Sequence, residues 1–169
     1  MSVLTSDPPF GRGSTLGVKD VTQGNTWIGV VKVFTDANPH DGTVYSNREV
    51  RVVCLRNRHT DPLLPGQLVT CNLEEATGLA SAGDPIVAVV DEYLPAAGCP
   101  VDDVFYGVVT GPTQVNGLTA AAAGDTAGVG AGGDAAAGAG LGLVLSETDP
   151  VTTKTRTLVG VHYNSAAIA

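Results

Sequence analysis

Two short valine-rich runs constrain this chain more than any other feature. They are residues 86–90 (IVAVV) and residues 104–109 (VFYGVV), within the stretch IVAVVDEYLPAAGCPVDDVFYGVVTGPTQV. Runs this brief and this rich in β-branched residues predict strands rather than helices. Apolar side chains in consecutive positions predict that both strand faces are covered. The residues between them include Pro95, Gly98 and Pro100. Proline removes a backbone donor and glycine opens positive φ, so this connection reads as a loop. A turn is expected at Gly111–Pro112, and the pair is expected at the centre of a β-barrel or compressed sandwich.

The remaining strands are weaker repeats of the same signal. Residues 27–34 (WIGVVKVF), 49–55 (EVRVVCL), 67–73, 141–145 and 157–163 each read as strands, the last two as a pair. Residues 49–55 and 67–73 are expected to form a hairpin that sets Cys54 opposite Cys71, where a disulfide is geometrically conceivable but reduced thiols packed as small hydrophobes are the expectation in a reducing compartment. Only residues 74–81 suggest a helical turn. Residues 116–140 are dominated by Ala and Gly, and turn signals stand at Asn116–Gly117, Gly124–Asp125 and Gly132–Gly133–Asp134. The expected fold is therefore all-β: one compact barrel or sandwich-like domain over residues 25–169, with an Ala/Gly-rich hairpin at 116–140. Residues 1–24 hold the stiff pair Pro8–Pro9, then Phe10 and several glycines. They are expected to form an extended N-terminal arm reaching over a neighbouring subunit, with Phe10 as its anchor.

The 169 residues carry a formal charge of −8, with 9 basic and 17 acidic side chains. A nucleic-acid grip needs clustered Lys and Arg, so that balance speaks against one. No apolar segment is long enough to span a bilayer. No basic start leads into an apolar run, and the three cysteines (Cys54, Cys71, Cys99) are odd in number. Both features predict reduced thiols and assembly in a cytoplasm. Arg48, Arg51, Arg56 and Arg58 form a basic patch whose alternatives are a contact with an acidic neighbour or simple solvation.

Catalytic signatures are sparse. The chain has no G-x-S-x-G elbow, P-loop, G-x-G-x-x-G fingerprint or H-E-x-x-H motif. Asp36, Asn38 and Asp41 do not match the spacing of a calcium loop and read as a solvated turn. His40, His59 and His162 lie in separate segments. Asp91–Glu92 and Asp102–Asp103 are paired acids, but adjacent strand residues point to opposite faces, which argues against acid–base work. No catalytic residue, cofactor or metal site is expected.

Three segments carry a family resemblance. LRNRHTDPLLPGQLVTC (residues 55–71) resembles the "asparagine, loop, leucine-x-proline-glycine, apolar strand" pattern of bacteriophage head decoration proteins. VVDEYLPAAGCPVDDVFYGVVTGPTQV (89–115) is similar to a second pattern of that family, an acidic strand, a Pro/Gly loop and an aromatic–valine strand ending in Gly–Pro. AAAGDTAGVGAGGDAAAGAGLGLVL (121–145) is similar to its alanine–glycine–aspartate hairpin. The resemblance implies a cement protein on the outside of a virion capsid, a homotrimer assembled in the host cytoplasm and bound to the major capsid protein. The interface residues expected are Pro8, Pro9 and Phe10 in the arm, Arg56 and Arg58 towards acidic capsid residues, and Asp102 and Asp103 towards basic ones. Another virion component (head fibre base, tail or baseplate) and a small β-barrel hydrolase are the alternative classes.

Overall fold

The computed structural model describes residues 8, 10–17, 27–72, 74–84, 87–149, 152 and 154–160. Among them there is no helix, and ten strands form one continuous, sandwich-like sheet. The strands are β1 (Val31–Ala37), β2 (Val44–Asn57), β3 (Leu68–Cys71), β4 (Glu75–Leu79), β5 (Val87–Val90), β6 (Val104–Asn116), β7 (Thr126–Val129), β8 (Ala135–Ala137), β9 (Gly142–Val144) and β10 (Lys154–Val159). Their spatial order is β1-β2-β4-β3-β5-β6-β10-β9-β7-β8, with β2 also paired to β6.

The two valine runs pair as expected, antiparallel, with Val89 opposite Val108 and Val90 opposite Gly107. They also separate two cores by strict alternation. Val52, Cys54, Val87, Val89, Val104, Tyr106 and Val108 enter one core. Val53, Leu55, Ala88, Val90 and Phe105 enter the other. This is the period-2 geometry of a pleated strand with both faces buried. The first core is closed on its far side by Val115, Ala127, Ala135, Leu141, Val144 and Val159 from the second half of the chain. Parallel pairing of Arg56 with Glu75 and Asn57 with Ala76 curls the first layer back on itself without a full closing ladder.

β6 belongs to both layers. Its first half pairs with β2 and β5, and its second half pairs with β10 from Gly111 to Asn116. The changeover falls at a register shift opposite Arg51/Val52 and at Gly111, whose φ is +113°. A bulge followed by a left-handed glycine re-aims a strand without ending it. The expected turn at Gly111–Pro112 is thus corrected: the chain bends there and the ladder continues.

Three further expectations change. Residues 74–81 contain β4 rather than a helical turn. Thr77 and Gly78 are weak helix formers, and the segment is captured between β3 and β2. β2 and β3 do not form a hairpin: β3 pairs with β4 and β5. Cys54 and Cys71 accordingly lie in different cores, and all three cysteines are buried. The first strand begins at Val31, because Trp27–Gly29 form a turn with Gly29 at φ +81°. The strand pair near the C-terminus is β9 with β10, and the Ala/Gly hairpin is β7 with β8. Residues 161–163, with His162, lie outside the described residues.

Candidate functional site: an N-terminal strap over a buried ion network

Residues 10–17 lie on the body of the same chain, held chiefly by side chains. Phe10 stacks on Tyr106 with ring centroids 4.4 Å apart. The Tyr106 hydroxyl donates to the Phe10 carbonyl at 2.8 Å. Further along, the Leu16 amide donates to the Val104 carbonyl at 2.9 Å, and the Gly17 amide to Asp103 Oδ1 at 2.8 Å. Between these anchors, Arg12 is buried. Its Nε and Nη2 donate to Asp91 Oδ1 at 3.2 and 2.9 Å, and the Gly13 amide donates to Asp91 Oδ2 at 2.7 Å. Both oxygens of an otherwise dry carboxylate are thereby satisfied, the condition under which a buried charge is tolerated.

The network extends beyond this pair. β5 ends at Val90, so Asp91 and Glu92 sit in a turn and not on a strand. The expectation that they face opposite ways is therefore corrected, since Arg12 Nη2 reaches both, with Glu92 Oε1 at 3.6 Å. Arg156 on β10 pairs with Asp36 at the end of β1, and its Nη1 lies 3.9 Å from Glu92 Oε2. Ser46 on β2 donates to Asp36 Oδ2 at 2.6 Å, and the Arg156 guanidinium lies 4.7 Å from the Tyr45 ring centre. Five elements are tied together: the strap, β1, β2, the turn after β5, and β10.

Three carboxylates meet two guanidiniums here, so one acid is in surplus. Burial pushes the Glu92 carboxyl above its ordinary range, more than Arg12 and Arg156 pull it down. Burial also raises the neighbouring Tyr93 phenol. Arg156 loses solvation, yet its hydrogen bond to Asp36 and the charge of Glu92 hold its pKa above the usual value. Arg12 Nη1, Glu92 Oε1 and the Tyr93 hydroxyl are buried without a hydrogen-bond partner. The arrangement is a clamp. Its acids are buried among the described residues and held by Arg12, Arg156 and Ser46 of their own chain.

The expected interface residues are placed as follows. Pro8 is buried, and Pro9 lies outside the described residues. Phe10 is spent on Tyr106 of its own chain. Arg58 donates to Glu75 Oε1 at 3.1 Å and Asp102 Oδ1 at 2.6 Å, and Arg56 lies 3.6 Å from the same Asp102 oxygen. The basic residues and Asp102 thus meet each other, on the surface of one molecule. Asp103 is corrected as a surface contact. It is buried, and its Oδ1 accepts from the Gly17 and Val104 amides. Asp36 also leaves the solvated turn assigned to it, whereas Asn38 and Asp41 bond locally across residues 38–43. Among the described residues, no three His, Cys, Asp or Glu side chains gather to hold a metal ion.

Sequence reasoning missed Arg12, Arg156 and Asn57. Asn57 is buried, and its Nδ2 reaches the carbonyls of Asp61, Cys99 and Pro100, pinning two loops together. Arg12 had one readable sign: it is the only charge between Asp7 and Lys19.

The surface shows a different pattern. Val31 is 58% exposed, Val33 49%, Val44 59% and Tyr45 50%, all on β1 and β2. A groove of about 510 Å³ runs beside β8, lined by small residues from Gly117 to Ala121 and from Ala135 to Gly138. No family model, no curated protein and no solved structure matches this chain.

Proposed function

We propose that this chain is a structural virion protein that binds the outer surface of an icosahedral phage head and stabilises contacts between major capsid subunits. The observation that carries this reading is how its surface chemistry is divided. Part of its charged chemistry is spent inside the molecule, in the Arg12–Asp91 and Arg156–Asp36 pairs, and Arg58, Glu75 and Asp102 satisfy one another on the surface. The four most exposed large apolar side chains, Val31, Val33, Val44 and Tyr45, instead fall on β1 and β2. Exposed apolar side chains on a sheet suit contact with another protein surface. Repeated copies on a shell would add avidity to contacts that are weak singly. The family resemblance of residues 55–71, 89–115 and 121–145 points to the same role.

The test is reconstitution. Expanded heads lacking this protein are incubated with it, and occupancy is read by sedimentation and particle imaging. Heads are then challenged by heat or osmotic shock. Saturable binding at a fixed ratio to capsid subunits, with raised survival, is expected. Heads that fail to bind it, or that survive equally well without it, overturn the reading. A copy number per particle far below that of the capsid subunit would instead mark a tail or baseplate component.

A further inference from the structure

The three acids of the buried network are not held alike. Asp91 accepts from Nε and Nη2 of Arg12 and from the Gly13 amide. Asp36 takes Arg156 and the Ser46 hydroxyl. Glu92 is left with longer contacts, 3.6 Å to Arg12 and 3.9 Å to Arg156, and its Oε1 is buried without a hydrogen-bond partner. Asp91 in the same turn and Asp36 on β1 repel it. Tyr93 follows it, and Tyr45 on β2 lies over Arg156. Behind Tyr93, in the β1–β2 loop, His40 sets its ring edge-on to the Tyr93 ring and its Nε2 3.0 Å from the Tyr93 carbonyl. Two cations for three carboxylates leave a buried negative charge whenever Glu92 is ionised. A proton on Glu92 removes that charge.

The site opens most easily on the side of the strap. Arg12 lies against Glu92, and both side chains are buried. Between described residues, a single main-chain bond, from Leu16 to Val104, joins the strap to the sheet. Its other bonds run to the side chains of Asp91, Asp103 and Tyr106. β1, β2 and β10 are instead fixed in ladders. Local opening draws on the segment with the fewest such bonds.

We propose that the strap is a proton-controlled latch: it stays seated while Glu92 carries a proton and lifts from the body when that proton is lost to solvent. Lifting lets water reach the Glu92 carboxylate and takes Arg12 away from it. The first change favours the ionised acid and the second opposes it. In the seated state burial outweighs both guanidiniums and holds the carboxyl above its ordinary range, so hydration decides the direction. Seating is tightest below the ordinary Glu value, about 4.3, and weakens as pH climbs towards the value Glu92 has under the strap. One proton links the two states, so the weakening is at most about tenfold per pH unit. The lifted state uncovers the Tyr106 ring and two carboxylates. The latch belongs to the isolated chain and does not depend on any capsid.

The experiment is amide hydrogen exchange on the full chain from about pH 5 to about pH 8, above the ordinary carboxylate range. Each rate is divided by the intrinsic rate at the same pH, so that protection alone is compared. The Gly13, Leu16 and Gly17 amides report the strap. The Val90 amide, which donates to the Gln67 carbonyl at 2.8 Å, reports the body. In wild type the strap amides should be less protected than Val90. Their protection should fall by up to about tenfold per pH unit, then level off where the carboxyl chemical shift of Glu92 titrates. E92Q stays neutral and should show no such fall. Imidazole is the side chain that ordinarily titrates near neutrality, so H40Q is the control and should fall as wild type does. Strap protection that is flat or rises with pH in wild type overturns the proposal. So does a fall that persists in E92Q or vanishes in H40Q. Strap amides as protected as Val90 would mean that the strap leaves only when the body unfolds, and would overturn it too. The wild-type slope and the carboxyl titration need no variant, so a misfolded E92Q does not blunt the test: a Glu92 carboxyl that titrates in the ordinary range also overturns the latch.

Discussion

At the scale of single residues, the ion network makes the sharpest predictions. Replacing Arg12 by Ala strands Asp91 in a dry site and leaves Glu92 with less compensation. Removing one partner of a buried pair typically costs about 3–5 kcal/mol, so R12A should unfold at markedly lower urea. Glu92 behaves oppositely. Its carboxyl is raised in the folded state, so folding favours the protonated form. The associated stability is complete below the unfolded-state pKa and fades as pH climbs through the folded-state value. Wild type should therefore lose ground to E92Q as pH rises from about 4, read as the difference in urea midpoints across a pH series. A gain for wild type over that window would mean that Arg12 and Arg156 outweigh burial. The thiols test the same dielectric. Burial pushes Cys54 up to about 12 and raises Cys99 as well. A thiol-specific reagent at pH 8 should react with native protein far more slowly than with unfolded protein.

At the scale of elements, legibility followed the range of the interactions involved. The valine runs at 87–90 and 104–109 announce themselves because alternation and β-branching are local properties, and burial on both faces only reinforces them. β4 was unreadable for the opposite reason. Nothing in EATGL prefers a strand, and its ladder partners Val69 and Arg56 create it. The same holds for Gly111, where Gly–Pro reads as a turn until β10 is seen to carry the ladder onward. A Cβ at Gly111 would sit 2.4 Å from the Glu49 carbonyl oxygen, at a φ that L-residues resist. G111A should lower stability by about 1–3 kcal/mol, the usual cost of such backbone strain. Gly11 is the control: a Cβ there meets nothing within 4 Å, so G11A should be neutral or stabilising by up to about 1 kcal/mol. Paired thermal melts check both.

At the scale of the whole molecule, what the sequence concealed is how distant segments meet. Composition could single out Phe10 as an anchor, because it is the lone large aromatic near the N-terminus. It could not show that the receiving ring is Tyr106, 96 positions away, or that Asp91, 79 positions from Arg12, is the carboxylate waiting there. During synthesis the strap leaves the ribosome well before its seat, which is complete only when residues 91–106 have emerged. Docking therefore belongs after the folding barrier, so R12A should speed unfolding and leave the refolding rate nearly unchanged. In the interval before it docks, the nascent chain carries a bare aromatic seat, and that is when a chaperone or an early misfolding event has its opening.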